Sequence, residues 1–155
     1  MQLTHRQLIR KTDKNYKFID EACFKAKNIY NTALYIIRQL FCHQDAGNHT
    51  VKGYYINNIE LEKRLRYINK FNAYTLSFNS VQQVFKVLNK NFLSFFALVK
   101  LWNEVKHLPD DIRPLKGKPN IPKYLDKKGR FQLNYTTNQF KIKGNYIHFP
   151  KKEGI

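Results

Sequence analysis

The sequence predicts an α+β protein: about three helices lie between a short N-terminal strand and a basic, strand-rich C-terminal segment. Three observations predict this. Two long stretches carry apolar residues at three-four spacing, the last third of the chain carries period-2 alternation broken by turn residues, and prolines separate the two regimes.

Leu3 to Lys11 alternates polar and apolar residues imperfectly, which predicts an edge strand able to join the C-terminal sheet. Asp13 then precedes a long amphipathic stretch in which Ile19, Ala22, Cys23, Ala26, Ile29, Tyr30, Ala33, Ile37, Leu40 and Phe41 share one helical face. Lys17, Lys25, Lys27 and Arg38 fall off this stripe, on a face that is either solvated or turned to a polyanion. Gly47, Asn48 and Gly53 bring loop chemistry. A shorter helix, near Ile59 to Ile68, follows Asn57 and Asn58, either of which can cap it.

Phe71 to Phe78 is irregular, and Ser80 with Gln83 three positions on forms a capping-box signature. The third helix starts there on this reading. Its stripe of Val84, Phe85, Leu88, Phe92, Phe95, Phe96 and Val99 runs to about Lys106, and its phenylalanines are assigned to the core. Pro109, Asp110, Asp111 and Pro114 end the helix and form a linker.

Lys116 to Pro150 is organised differently. Lys118-Pro119 and Pro122-Lys123 hold the backbone out of the helical region, because proline fixes its own φ and restricts its predecessor. Asp126 to Gly129 reads as a turn. From Arg130 to Thr136, Phe131, Leu133 and Tyr135 alternate with Gln132, Asn134 and Thr136, the pattern of a half-buried strand. Phe140 and Ile142, then Gly144-Asn145, then Ile147 and Phe149 predict a tight hairpin.

Composition narrows the function. The chain has 155 residues, and its 28 Lys+Arg against 11 Asp+Glu leave a net charge of +17. The charge is +10 over residues 1–108 and +7 over the much shorter 109–155, so the tail is the denser part. Such an imbalance points to nucleic acid held mainly through phosphates. A membrane partner is not expected: no run approaches a transmembrane span, and MQLTHRQLIRK lacks a signal-peptide apolar stretch, which predicts an intracellular protein. Cys23 and Cys42 lie 19 residues apart on the same predicted helix, too far for a disulfide, and are read as small buried hydrophobes. Cys42, His43 and His49 lack the second close ligand pair of a zinc site.

The candidate phosphate contacts are Lys116, Lys118, Lys123, Lys127, Lys128 and Arg130 on the tail, with Lys25, Lys27 and Arg38 on the first helix. Tyr124, Tyr135 and Tyr146 have two uses open to them, half-buried packing or stacking on unpaired bases. No catalytic set can be assembled. A two-metal nuclease needs converging carboxylates, whereas Asp110 and Asp111 sit in the linker, Asp126 in a turn, and Asp20, Glu21, Glu60, Glu62 and Glu104 on helices. No Walker loop, dinucleotide fingerprint, zinc-protease helix or nucleophile elbow is present, and no cofactor is expected.

Phe24-Lys25-Ala26-Lys27-Asn28-Ile29-Tyr30-Asn31, continuing through Leu34-Tyr35-Ile36-Ile37-Arg38-Gln39, resembles the N-terminal helical signature of TnpB, the OrfB-type protein of insertion sequences. Ser80-Val81-Gln82-Gln83-Val84 with Asn89-Lys90-Asn91-Phe92 and Ser94-Phe95-Phe96 resembles its next block. Gly117-Lys118-Pro119-Asn120-Ile121-Pro122-Lys123-Tyr124, with Tyr135-Thr136 and Ile147-His148-Phe149-Pro150-Lys151, resembles a third. The resemblance implies an RNA-guided DNA endonuclease related to type V CRISPR effectors, with guide-type RNA and DNA as partners and a prokaryotic cytoplasmic, nucleoid-associated location.

Its implied architecture is a small antiparallel wedge-type β-barrel interrupted by a helical recognition lobe. Residues 1–11 would be the first wedge strand, 12–108 the recognition lobe, and 109–155 the linker and basic wedge segment, incomplete at the C-terminus. Relatives continue into an RNase H-like nuclease with acidic metal ligands and a zinc ribbon. The chain is therefore expected to be a nucleic-acid-binding N-terminal portion with no catalysis of its own. The alternatives are a truncated transposase remnant, a stand-alone basic RNA- or DNA-binding protein, and a basic partner or membrane-surface binder.

Overall fold

A computed structural model describes residues 6–42, 55–68, 76–144 and 146–149. Helices α1 (Tyr16–Cys42), α2 (Asn58–Ile68) and α3 (Phe78–Val105) precede a two-stranded antiparallel sheet of β1 (Lys141–Lys143) and β2 (Tyr146–His148).

Local chemistry sets the helix starts. Asn57 Oδ1 accepts from the backbone N–H groups of Ile59 and Glu60, both at 3.0 Å, so it is the cap of α2. Helix α3 begins one turn before the expected Ser80. Ser77 is extended (φ −62°, ψ 146°) and its Oγ accepts from the Ser80 N–H at 3.3 Å. Ser80 has become the third helical residue and is buried. Two capping residues three apart compete for one helix start, and the upstream one captures an extra turn.

The core lies where the apolar stripes meet. Ala22, Ala26, Ile29, Tyr30, Ala33, Leu34 and Ile37 of α1 share it with Leu61 and Leu65 of α2 and with Val81, Val84, Phe85, Leu88 and Phe92 of α3. Phe85 and Phe92 are fully buried as expected. Phe95 and Phe96 are only half-buried, and with Phe41 and Tyr55 they form an aromatic rim whose ring centroids stand 5.2–6.4 Å apart. Among the described residues, no helix is long and apolar enough to cross a membrane.

The expected barrel is not formed. Among the described residues the sheet has two strands only, and residues 6–11 form no strand; Met1 to His5 lie outside the described residues. Arg130 to Thr136 shows the expected alternation, with Phe131, Leu133 and Tyr135 half-buried and Gln132, Asn134 and Thr136 exposed, yet it pairs with no strand. Phe131 and Leu133 pack on the helical core instead, together with Ile121 and Leu125. Period-2 alternation reports that one face of a segment is covered and says nothing of what covers it. Here the helical core covers Phe131 and Leu133, and the Phe149 ring covers Tyr135.

The remaining connections follow their turn chemistry. Pro109 begins a turn after α3 that the Arg113 guanidinium fastens, donating twice to the Leu108 carbonyl at 2.7 and 3.1 Å. Arg113 also pairs with Asp110 at 2.6 Å and lies over the Trp102 ring. The Asp126–Gly129 turn is present, closed by Gly129 N–H donating to the Asp126 carbonyl at 3.0 Å. Gly144 has φ +56° at the tip of the hairpin, a conformation that glycine adopts without steric penalty. Asn145 lies outside the described residues.

Candidate nucleic-acid interface

Helix α1 has a second working face. Asp20, Phe24, Lys27, Asn31 and Arg38 are spaced by four, three, four and seven, so they form one row along the helix. Four of them clasp the C-terminal segment directly. The Arg38 guanidinium lies 5.1 Å from the Tyr124 ring centre. Asn31 makes two backbone-like bonds to Leu125, accepting its N–H at 2.9 Å and donating to its carbonyl at 3.0 Å. Lys27 Nζ donates to the Lys127 carbonyl at 2.7 Å, and Asp20 receives the two-pronged guanidinium of Arg130 at 2.7 and 2.8 Å. Both cations lie over the Phe24 ring, Lys27 Nζ at 4.0 Å and the Arg130 guanidinium at 5.0 Å from its centre. The segment thus runs against the direction of α1, from Arg38 down to Asp20.

Electrostatics agrees with this geometry. The Arg130 hydrogen bonds hold the Asp20 carboxyl below the usual aspartate range, and Asp20 in turn raises the guanidinium's affinity for its proton. Glu21 is likewise lowered by its hydrogen bond from Lys25, at 2.8 Å. Burial pushes the Cys23 thiol up, which makes it a poor nucleophile; it is half-buried.

The ten positions predicted to meet nucleic acid therefore divide. Lys27 is 3% exposed and spends its ammonium on a carbonyl and an aromatic face. Arg130, Arg38 and Lys25 are engaged by Asp20, Tyr124 and Glu21. Lys116, Lys118, Lys123, Lys127 and Lys128 are exposed, and among the described residues their side chains have no ion pair or hydrogen bond. Tyr124 is 45% exposed, with Arg38 lying over its ring. Of the five lysines, Lys127 and Lys128 stand on a backbone tied down at Leu125, Lys127 and Phe131, the last donating its N–H to the Cys23 carbonyl at 3.1 Å, while Lys116, Lys118 and Lys123 precede it in the chain.

Asp20, Phe24 and Asn31 were not anticipated as part of this arrangement. The signal for them is their place in one row with Lys27 and Arg38, beside the apolar stripe. A cleft of about 270 Å³ opens between α3 and the segment next to Lys123, lined by Asn91, Ser94, Phe95 and Asn120. Asn91 Nδ2 donates to the Tyr30 hydroxyl at 3.1 Å beneath it.

No group of three or more His, Cys, Asp or Glu side chains that could hold a metal is assembled among the described residues; His43 and His49 lie outside them. Chemically, the surface offers fixed positive charge and a partly open aromatic ring. No protein-family model, curated protein or solved structure matches the chain.

Proposed function

We propose that this chain is the nucleic-acid-binding portion of a TnpB-like RNA-guided DNA endonuclease, holding guide-type RNA and target DNA without itself breaking a bond. Its place of action is the prokaryotic cytoplasm, at the nucleoid. One observation supports the reading: Lys116, Lys118, Lys123, Lys127 and Lys128 are all exposed along one stretch of chain, and its later part, Tyr124 to Phe131, is clasped by α1. Lysines on a fixed backbone lose less freedom on meeting a phosphate than lysines on a loose loop. Their positive field has no carboxylate partner to absorb it, which is the condition for counterion release when phosphates replace salt. The three sequence blocks that resemble TnpB support the more specific part of the proposal.

The test is salt-dependent binding of structured RNA by the purified chain and by Lys118→Ala/Lys123→Ala. The log–log slope should flatten by about 0.7–0.9 for each phosphate contact removed. A double variant with the parent's affinity and slope would reduce this segment to a solvated charged surface. RNA of transposon-end sequence co-purifying with the chain in preference to bulk cellular RNA would favour the TnpB-like form; indifference to sequence would leave general binding and remove the guide-RNA assignment.

A further inference from the structure

The β1–β2 ribbon plays no part in the clasp. Its register pairs Lys141 with His148, Ile142 with Ile147 and Lys143 with Tyr146. Directly opposed residues share a face, and so do residues two apart on a strand. Lys141, Lys143, Tyr146 and His148 therefore stand on one side of the ribbon, and Ile142 and Ile147 on the other. All six are exposed, Tyr146 at 74%. Among the described residues, the side chains of Lys141, Lys143 and Tyr146 make no hydrogen bond or ion pair.

The ribbon is nevertheless held at both roots. Before β1, the Gln139 side chain accepts from Thr136 N–H at 2.8 Å and donates to the hydroxyls of Ser77 and Ser80 at 3.4 and 3.3 Å, which fastens it to the start of α3. After β2, the Phe149 ring packs on Tyr135 with centroids 5.1 Å apart. The intervening residues project from this base. No Asp or Glu occurs in the sequence between Asp126 and Glu153, so nothing along this stretch neutralises the ribbon's charge.

We infer that the Lys141, Lys143, Tyr146 and His148 face of the ribbon is a contact for single-stranded nucleic acid, separate from the lysines on the clasped segment; the inference rests on the nucleic-acid-binding reading above. Tyr146 supplies a ring on which one unpaired base stacks, and Lys141 and Lys143 meet the flanking phosphates. Charge complementarity selects a polyanion, and the exposed ring selects a strand with free base faces over a duplex whose bases are already stacked.

The test compares the parent chain with Tyr146→Ala, Tyr146→Phe and Lys141→Ala/Lys143→Ala, using a labelled single-stranded RNA and the matching duplex. Tyr146→Ala should weaken single-strand binding about 5- to 150-fold, the range given by one lost stacking contact, while Tyr146→Phe retains it. The lysine pair should lower the single-strand salt slope by about 1.4. Duplex affinity should change less in every case. Unchanged single-strand affinity and slope in both alanine variants, in a chain whose binding still responds to Lys118→Ala/Lys123→Ala, would overturn the ribbon assignment and leave the broader reading intact. A parent chain that binds neither probe would overturn both. Loss of binding in Ile142→Ser/Ile147→Ser, with none in the lysine and tyrosine variants, would turn the contact to the opposite face and also overturn the assignment.

Discussion

The Lys27 ammonium, 3% exposed, is hydrogen-bonded at 2.7 Å to the backbone carbonyl of Lys127, one hundred positions later in the chain. One lysine thereby fixes the backbone that presents another. A buried ammonium is tolerated only when its donors are used, and here a carbonyl and the face of Phe24 take that role.

Lys27→Met keeps most of the apolar stem, one atom shorter, and deletes the donor. It should destabilise the fold by about 1–3 kcal/mol, the cost of leaving a part-buried carbonyl unpaired. RNA affinity should also fall, because the Lys127–Lys128 turn loses its anchor. Chemical denaturation and RNA titration on the same protein check the two effects, and a stable variant with parental affinity would deny Lys27 its positioning role.

Asn31 is matched to Leu125 in both directions, donor to acceptor and acceptor to donor. Asn31→Asp preserves the acceptor for the Leu125 N–H and sets a carboxylate oxygen against the Leu125 carbonyl. It should therefore be as damaging near neutral pH as Asn31→Ala, at about 1–3 kcal/mol, and should recover partly in acid as the carboxyl regains a proton. Parallel unfolding curves of the two variants across pH would contradict this.

The Asp20–Arg130 pair gives the clasp an acid limit. Arg130 lowers the Asp20 pKa in the folded state, so the pair's contribution is present above the unfolded aspartate value and is lost as pH falls through the folded one. Compared with Asp20→Asn, the parent should show an additional loss of melting temperature below about pH 4, and the two curves should converge at the acid end. The difference near neutrality should be small because the pair is open to solvent. Equal pH dependence in the two proteins would remove the pair from the stability balance.

Core phenylalanines should separate by depth. Phe85→Ala and Phe92→Ala empty fully buried sites and should each cost about 3–5 kcal/mol, whereas Phe96→Ala, on the half-buried rim, should cost less. Thermal unfolding of the three variants reads the order directly. A Phe96 variant as unstable as the other two would mean that the rim is as tightly packed as the core.

The two long helices were legible because each carries an apolar stripe, the short one because Asn57 and Asn58 offer a cap, and the hairpin because Gly144 sits between two short alternating runs. The start of α3 was misplaced by one turn, since Ser77 and Ser80 both satisfy the local chemistry of a cap and only the folded chain decides between them. The segment after Arg130 was read as a strand because its alternation is genuine; that Phe131 and Leu133 are covered by the helical core is a long-range fact with no local signature. The same limit applied to Lys27 and Arg130. In sequence they are two cations among many, and only Phe24 and Asp20, at helical spacing in the same row, mark them as structural.

The clasp also imposes an order of events during synthesis. The row from Asp20 to Arg38 leaves the ribosome about a hundred residues ahead of the segment from Tyr124 to Phe131 that covers it. At 5–20 residues per second this is an interval of roughly 5–20 s. Throughout it α1 lacks the segment that covers its second face, and Lys27 lacks its carbonyl partner. Contacts of such sequence separation are the slow ones to form, so the clasp closes after the helical core on which it packs. A newly made chain therefore presents Lys127 and Lys128 in their final geometry only after its three helices are in place.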